Sequence, residues 1–211
     1  MRVEPLGDRG LIVRDLPEPA WQWAERLNRL GLDGLVEAYA SYNTVGLDID
    51  PGIFLWDSAL NAESTSYEPE DQILHRIPVC YELGEDFLVS ADRLGVAPDE
   101  FIRIHSSATY RCDAVGFCPG FPYLSGLPEP LCGIPRLPAP RTQIEPGSVA
   151  ITGIQCGIYP LLRPGGWTLI GRTPLEIVHV ADGYFPIKSG DRVQFTPIDS
   201  LEFKRMRGER L

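Results

Sequence analysis

The chain lacks a long hydrophobic run. None of its 211 residues belongs to an uncharged apolar stretch of about 18, the length that a membrane-spanning helix needs. The segment from Met1 to Pro5 also lacks the apolar core and small-residue cleavage site of a signal peptide. We therefore predict a globular protein of the cytoplasm, and the apolar fraction of 44% is enough for a buried core.

Ligand spacings typical of metal sites are missing as well. The five cysteines include no C-x-x-C pair, and the three histidines, His75, His105 and His179, lie far apart. The sequence contains neither a P-loop nor a dinucleotide-binding fingerprint, and it has no G-x-S-x-G nucleophile motif. From these residues we predict no metal, and no cofactor bound by this chain.

Positive charge is scarce in the first half. Residues 1–102 carry 20 acids and 7 bases, whereas residues 103–181 carry 4 acids and 6 bases, and the whole chain has a net charge of -10. A nucleic-acid-binding protein would show a clustered basic face. The charge pattern therefore argues against nucleic acid as a partner and leaves a nearly neutral, arginine-bearing middle as the region of interest.

Residues 1–72 are predicted to form a small α+β domain. Apolar residues recur at helical spacing over 20–30, where Gly31 ends the pattern, and strands are predicted at 11–13, 36–42 and 44–50. Another helix is predicted to begin over 54–60. Residues 61–72 are polar and acidic without periodicity, which is typical of a linker.

Residues 73–211 are predicted to form a β-barrel or sandwich domain. A strand at 77–81 precedes two short helices, one with Ser90 as the N-cap of residues 91–94 and one over 101–107 that opens with Pro98. Between 103 and 181 the chain has 11 prolines and 10 glycines, interleaved with short apolar runs. We predict strands there and just beyond, at 110–115, 148–152, 157–160, 167–170, 176–180 and 193–197.

The segment 116–124 is the first candidate for a site. Phe117, Phe121 and Tyr123 alternate with proline and glycine, which fix the backbone and hold the rings in place. Such rings can line an apolar pocket, with the tyrosine hydroxyl as a polar group. The alternative is that Phe117 and Phe121 belong to the barrel core.

A proline-rich loop carries the second candidate, the pair Arg136 and Arg141. Two guanidinium groups five residues apart on a stiff loop can hold a carboxylate or a phosphate. Gly165 and Gly166 add backbone N–H groups that could form an anion nest. The alternative is that both arginines pair with surface acids.

His105 is the candidate acid or base, since it closes the helix at 101–107 and imidazole titrates near neutral pH. The alternative is a hydrogen-bonded core histidine. Cys118 and Cys156 could be nucleophiles, although nothing near them in the sequence marks a lowered pKa.

Six ordered motifs make the chain closely resemble the allophanate hydrolase subunit 1 family, a carboxyltransferase C and D domain-like family that also includes the 5-oxoprolinase B subunit and a sporulation-kinase inhibitor. They are His105-x4-Tyr110, Gly116-Phe-x-Pro-Gly-Phe-x-Tyr-Leu, Pro135-Arg136-x3-Pro140-Arg141, Pro146-Gly147-Ser148-Val149, Gly157-x-Tyr159-Pro160 and Pro164-Gly-Gly-Trp-x3-Gly-Arg-Thr173. The resemblance implies a small N-terminal α+β domain followed by a cyclophilin-like β-barrel domain.

The resemblance also implies a function. It points to a subunit of an ATP-dependent 5-oxoprolinase, which opens the lactam ring of 5-oxoproline to glutamate together with a homologous second barrel subunit and a third subunit. The alternatives are a histidine-kinase inhibitor and a carboxyltransferase-type subunit of a urea- or allophanate-metabolising system. Neither nucleic acid nor a membrane is expected as a partner, and ATP is expected to be used by the complex.

Site residues follow from the matched motifs. We expect His105 and Arg141 to be catalytic. The residues expected to bind substrate are Tyr110, Phe117, Phe121, Tyr123, Arg136, Ser148, Gln155, Tyr159, Trp167 and Arg172.

Overall fold

A computed structural model describes residues 1–54 and 72–211 of the chain. The protein folds into two compact units, Met1–Gln72 and Ile73–Leu211. The helix predicted to begin over 54–60 and the linker predicted at 61–72 lie almost wholly outside the described residues. Within the described ranges, no helix has the length and apolar character needed to cross a membrane.

The first unit is an antiparallel sheet covered by one helix. Its strands are β1 (Arg2–Leu6), β2 (Gly10–Arg14), β3 (Leu35–Ser41) and β4 (Thr44–Ile49), and they pair in the order β1-β2-β4-β3. Helix α1 (Ala20–Leu30) buries Trp23, Ala24 and Leu27, which recur at helical spacing. Gly31 ends the helix in the left-handed conformation at a φ of 58°, as the sequence predicts.

The second unit is a larger sheet with two helices packed into its main hydrophobic core and a third, short helix near residue 200. Its helices are α2 (Phe87–Leu94), α3 (Pro98–Ser107) and α4 (Ser200–Met206). Its strands are β5 (Leu74–Val79), β6 (Tyr110–Val115), β7 (Pro122–Ser125), β8 (Arg141–Ile144), β9 (Ser148–Thr152), β10 (Gln155–Ile158), β11 (Arg163–Gly165), β12 (Thr168–Arg172) and β13 (Arg192–Pro197).

The pairing of these strands is mainly antiparallel. Hydrogen bonds link β13-β6-β7-β10-β9-β12 in that order, β5 joins β13 in parallel, and β8 and β11 form a separate two-stranded ribbon. Cys80, directly after β5, exchanges backbone hydrogen bonds of 2.9 and 3.0 Å with Arg172 at the end of β12. The hydrogen-bonded path that runs from β5 through β13 to β12 therefore returns to the residue that follows β5. Helices beside a mostly antiparallel sheet make this an α+β protein, as predicted.

Side chains alternate across the sheet of the second unit and separate two clusters. On β9, Val149 and Ile151 face the main hydrophobic core, while Ala150 faces a second, mainly aromatic cluster. On β10, Cys156 faces the main core, whereas a Cβ on Gly157 would lie 2.8 Å from Phe121 Cζ in the second cluster. One face of β9 and β10 thus packs into the main hydrophobic core, and the other face packs against the second cluster.

Two predicted elements differ from the structure. The strand predicted at 176–180 is wrong. Glu176 and His179 form only isolated bridges, and among the described residues no strand lies between Pro174 and the start of β13. Ser90 is not an N-cap: α2 begins at Phe87, and the Ser90 hydroxyl donates a 2.7 Å hydrogen bond to the Asp86 carbonyl one turn earlier.

Candidate functional site

Five rings pack together on the second face of the sheet, and we call them the aromatic cluster: Phe117, Phe121, Tyr123, Tyr159 and Trp167. Phe121 is at the centre, with its ring centroid 4.9 Å from that of Tyr123, 5.1 Å from that of Tyr159 and 5.6 Å from that of Trp167. These pairs are edge-to-face, the arrangement that aromatic quadrupoles favour. The structure thus brings together the five aromatic residues other than Tyr110 that the sequence predicts for substrate binding.

Phe117 is the exposed member of this cluster. Its side chain is 58% exposed, while its ring still contacts Phe121 and Tyr159 at centroid distances of 5.5 and 6.2 Å. Its backbone has a φ of 67°, a conformation that L residues other than Asn and Asp rarely adopt. Strained residues that the surroundings hold in place often belong to functional sites.

The loop around Phe117 explains how the strain is maintained. The Gly116 and Phe121 backbones are joined by a 3.1 Å hydrogen bond, and the Phe121 N–H donates to the Cys118 carbonyl at 3.1 Å. Gly120 adopts a φ of 73°, and a Cβ there would overlap Val178. The closed turn therefore fixes the backbone of Phe117 and holds its ring against Phe121 and Tyr159.

Tyr159 lies inside the cluster with a satisfied hydroxyl. The Trp167 backbone N–H donates to its Oη, and Gly165 allows this approach, since a Cβ at that position would overlap the hydroxyl. Burial raises the pKa of Tyr159, and the Trp167 hydrogen bond and the Arg136 charge partly oppose that rise. The phenol is therefore neutral at pH 7, and Arg136 lies near it.

Arg141 is committed to acids of the same unit. Its Nε lies 3.3 Å from Glu85 Oε2, and its Nη2 donates to Asp86 Oδ1 at 2.6 Å. The other Asp86 oxygen accepts a 2.7 Å hydrogen bond from the Leu169 N–H of β12. Nη1 is buried with no hydrogen-bond partner among the described residues. The Nε–Nη2 edge of the guanidinium is thus occupied within the protein, whereas Nη1 is not.

His105 and Tyr110 lie in the main hydrophobic core, on the other face of the sheet from the aromatic cluster. Both are 0% exposed, and the Tyr110 hydroxyl donates to the His105 carbonyl at 3.0 Å. The His105 ring stacks on Phe195 at 4.7 Å, with Nδ1 2.7 Å from Tyr81 Oη and Nε2 3.6 Å from Cys156 Sγ. Burial lowers the pKa of His105 to about 3. This geometry is that of the hydrogen-bonded core histidine, the alternative left open by the sequence.

The remaining predicted residues are Ser148, Gln155 and Arg172. Ser148 on β9 is buried and lies on the same sheet face as Ala150. Gln155 on β10 is paired with Thr152 of β9. Arg172 donates from Nε to the Pro146 carbonyl at 3.0 Å and lies 3.4 Å from Glu145, so it ties down a turn.

Sequence reasoning missed two residues at this site. Asp86 anchors Arg141, but it lies 55 positions away in sequence, so no local pattern links them. Arg163 lies near the Cys118 thiol beside the aromatic cluster, and its charge partly opposes the rise in the pKa of that thiol. Its place directly before the Pro164-Gly165-Gly166-Trp167 motif was the available signal.

The thiols of this unit are not activated. Burial raises the pKa of Cys118, an effect that Arg163 only partly opposes, and burial also raises the pKa of Cys156. No cluster of three or more His, Cys, Asp or Glu side chains suited to a metal occurs among residues 1–54 and 72–211. The arrangement offers a surface for binding a small planar group, with guanidinium groups at its edge.

Fold and cluster together describe an α+β protein with a mostly antiparallel sheet that packs aromatic side chains on its second face. The sequence matches the carboxyltransferase domain, subdomain C and D, over residues 1–182, and the chain belongs to that family.

Relatives with assigned names are consistent with this membership. The 5-oxoprolinase B subunit of Escherichia coli O157:H7 is 38% identical over 186 residues, which cover 84% of each chain. That of Bacillus subtilis (strain 168) is 38% identical over 146 residues, 68% of this chain and 60% of its relative. The crystal structure of TTHA0988 has a TM-score of 0.82 and 33% identity over 91% of this chain, which spans 41% of that protein's length.

Proposed function

We propose that this chain is the B subunit of a 5-oxoprolinase complex, which opens the lactam ring of 5-oxoproline to glutamate with hydrolysis of ATP. The observation that carries the proposal is the 38% identity to a 5-oxoprolinase B subunit over 84% of both chains. The complex works in the cytoplasm with a homologous second barrel subunit and a third subunit.

The domain organisation forms part of the same proposal. Residues 1–72 make a small α+β domain with an acidic linker, and residues 73–211 make a cyclophilin-like β-barrel. The backbone hydrogen bonds between Cys80 and Arg172 support a closed barrel, because they join the two ends of the strand path.

Binding of the planar lactam is the contribution of this chain. A lactam ring is flat and has a polar amide edge, so it can lie on exposed Phe117 while its edge meets polar groups at the rim. The thiols and Tyr159 are neutral at pH 7, because burial raises their pKa values. Opening the ring therefore requires groups of the partner subunits, and we expect the chain alone to be inactive.

Reconstitution tests this function. The purified chain is mixed with the two partner subunits of a 5-oxoprolinase, ATP and 5-oxoproline, and the glutamate formed is measured by chromatography. We expect glutamate only when this chain is present. The E. coli relative in the same mixture serves as the positive control. Glutamate with that control but none with this chain would reject the proposal.

A second candidate is a carboxyltransferase-type subunit, which the description of the matched family favours. Such a subunit would accept a carboxyl group from carboxybiotin on a partner and pass it to urea or another amide. The test supplies a biotin-carrying partner, ATP, bicarbonate and urea. Carboxylated urea in place of glutamate would favour this candidate over the first.

A further inference from the structure

Two exposed arginines, Arg136 and Arg163, border the aromatic cluster. No carboxylate of the described residues lies within 4.0 Å of either guanidinium group. Arg163 donates to the neutral Leu162 carbonyl at 3.1 Å. Because a guanidinium has five N–H donors, such a contact leaves others for an incoming anion.

Backbone pairing brings both arginines close to the cluster. The Leu137 N–H donates to the Gly166 carbonyl at 2.7 Å, so Arg136 lies next to the end of β11, the strand that begins at Arg163. The charge of Arg136 partly opposes the rise in the pKa of Tyr159, and that of Arg163 does the same for the pKa of Cys118. Both guanidinium groups therefore lie near the aromatic cluster.

The β8–β11 ribbon directs Arg163 toward this rim. Arg163 is paired with Ile144 across the ribbon, and the Ile144 side chain is 1% exposed and packs into the cluster. Paired residues on antiparallel strands point to the same face. The position of Arg163 thus follows from the backbone pairing.

The other two arginines of the predicted site are engaged elsewhere. Arg141 is held by Glu85 and Asp86, and Arg172 by Glu145 and the Pro146 carbonyl. Their charges are already balanced inside the unit. The anion clamp expected from the sequence, Arg136 with Arg141, stays a prediction, and Arg136 with Arg163 is the alternative that the exposed side chains offer.

We propose that Arg136 and Arg163 form the anion-binding part of the site and hold the carboxylate of a small planar amide or lactam whose ring lies on Phe117. Guanidinium groups bind carboxylates through charge-assisted, often paired hydrogen bonds, and a flat ring matches an exposed aromatic face. The carboxylate-bearing lactam rests on the proposed function, whereas the two-arginine subsite rests on the exposure of both side chains and the pairing of their segments.

Isothermal titration calorimetry of the full chain tests the subsite. The probes are 5-oxoproline, the neutral ring 2-pyrrolidone and inorganic phosphate. We expect the wild type to bind 5-oxoproline at least about tenfold more tightly than 2-pyrrolidone, the size of one charge-assisted hydrogen bond. Arg136→Gln and Arg163→Gln should each remove most of that difference without changing the affinity for 2-pyrrolidone.

Two further variants keep the result interpretable. Arg163→Lys retains the charge and should recover part of the preference, which a purely structural role for Arg163 would not explain. Arg93→Gln removes an exposed arginine of α2 and should leave all affinities unchanged. Melting temperatures by circular dichroism check that each variant is folded.

Contrary results are easily recognised. Equal affinity of the wild type for 5-oxoproline and 2-pyrrolidone, or an unchanged preference in both glutamine variants, would overturn the subsite. If phosphate binds more tightly than 5-oxoproline, and the two glutamine variants lose phosphate binding, then the anion held by this subsite is a phosphate and not a carboxylate. Glutamate formation by the reconstituted complex decides the proposed function separately, because it needs the chain in the assembly and not a given pair of arginines.

Discussion

Phe117 combines two properties that rarely occur in one residue. Its backbone lies in the left-handed region at a φ of 67°, and its large apolar side chain is mostly exposed. The first costs a non-glycine residue about 1–2 kcal/mol, and the second leaves apolar surface in water. Backbone strain alone would favour glycine at this position, and this supports the binding role that we propose for the ring.

Replacing Phe117 with Gly should separate stability from binding. We expect the free energy of unfolding to rise by about 1 kcal/mol, because glycine adopts a positive φ without strain. The affinity for 5-oxoproline should fall, because the exposed ring is lost. Urea denaturation and calorimetry measure the two effects. Phe117→Leu keeps the backbone strain and should lose affinity without gaining stability; a stable, fully binding Leu variant would contradict the role of the ring.

The Tyr81–His105 hydrogen bond stabilises the core. Tyr81 is 3% exposed, and its hydroxyl lies 2.7 Å from His105 Nδ1. Tyr81→Phe leaves that nitrogen buried without a partner, so we expect a loss of about 1–3 kcal/mol in the free energy of unfolding. Tyr42→Phe, at a residue that is 46% exposed in the first unit, is the control and should change little. Equal stability of Tyr81→Phe and the wild type would show that the bond contributes nothing.

His105 also makes stability depend on pH. Burial lowers its pKa to about 3 in the folded chain, against about 6.5 when unfolded, so the unfolded state binds more protons between these values. Its contribution is complete above pH 6.5 and is lost as the pH falls toward 3. We expect a slope of up to about 1.4 kcal/mol per pH unit from this group. Urea titrations from about pH 4.5 to 7.5 should give a flatter profile for His105→Gln, and an unchanged profile would refute the assignment.

How far the site could be predicted from the sequence depends on the range of the interactions. The rings of Phe117, Phe121 and Tyr123 lie within one glycine- and proline-rich turn, so local chemistry predicted their proximity. Whether Arg141 or Arg163 belongs to the anion-binding pair depended on the contact between Arg141 and Asp86. Asp86 is distant in sequence, so no local pattern could show this contact. The burial of His105 likewise depends on residues of β10 and β13 that reach it only in the folded unit.

Secondary structure shows the same dependence at the scale of elements. The helix at Ala20–Leu30 and the strands at Tyr110–Val115 and Ser148–Thr152 were predicted with their observed bounds, because each has a clear apolar period. The ribbon strands β8 and β11 were missed, since they are short and pair with each other rather than with the main sheet. The strand predicted at 176–180 has the right composition but no continuous neighbour with which to pair among the described residues.

Asp86 joins three elements of the second unit. It precedes α2, its carboxylate accepts from Leu169 of β12, and it pairs with Arg141 of β8. Its backbone N–H also donates to the Leu169 carbonyl at 2.9 Å. The side chain therefore connects a helix start, the sheet and the ribbon that carries Arg163.

Removing this connection should destabilise the unit. Asp86→Ala leaves the Leu169 N–H and the Arg141 guanidinium without their acceptor, and we expect a loss of about 2 kcal/mol in the free energy of unfolding. Glu85→Ala is the matched control. Its carboxylate contacts the same arginine but is 66% exposed, so its removal should cost less than about 0.5 kcal/mol. Similar losses for both variants in urea denaturation would contradict the connecting role of Asp86.

At the scale of the whole molecule, the chain consists of two units that differ in core size. Counted over residues 1–54 and 72–211, the main cluster of the second unit includes 22 buried residues, against 10 in the cluster of the first. Apolar burial is the dominant favourable term in folding. The second unit is therefore the better candidate for independent stability.

Residues 73–211 expressed alone should fold. We expect a cooperative thermal transition, followed by the fluorescence of Trp167, which is 5% exposed and is the one tryptophan of that segment. Residues 1–72 alone should melt at a lower temperature because of their smaller core. A broad, non-cooperative transition of 73–211, with Trp167 emitting as in water, would contradict the independence of this unit.

The alternation along β9 and β10 has a practical consequence for protein engineering. Ala150 and Gly157 face the aromatic side, whereas the neighbours that fill the main core are fully buried: Val149, Ile151, Cys156 and Ile158. Larger side chains at these two positions would push into the aromatic cluster, because Ala150 is 0% exposed and a Cβ on Gly157 would lie 2.8 Å from Phe121 Cζ. A mutational library on this scaffold should therefore keep both small residues and vary exposed positions such as Phe117, Arg136 and Arg163.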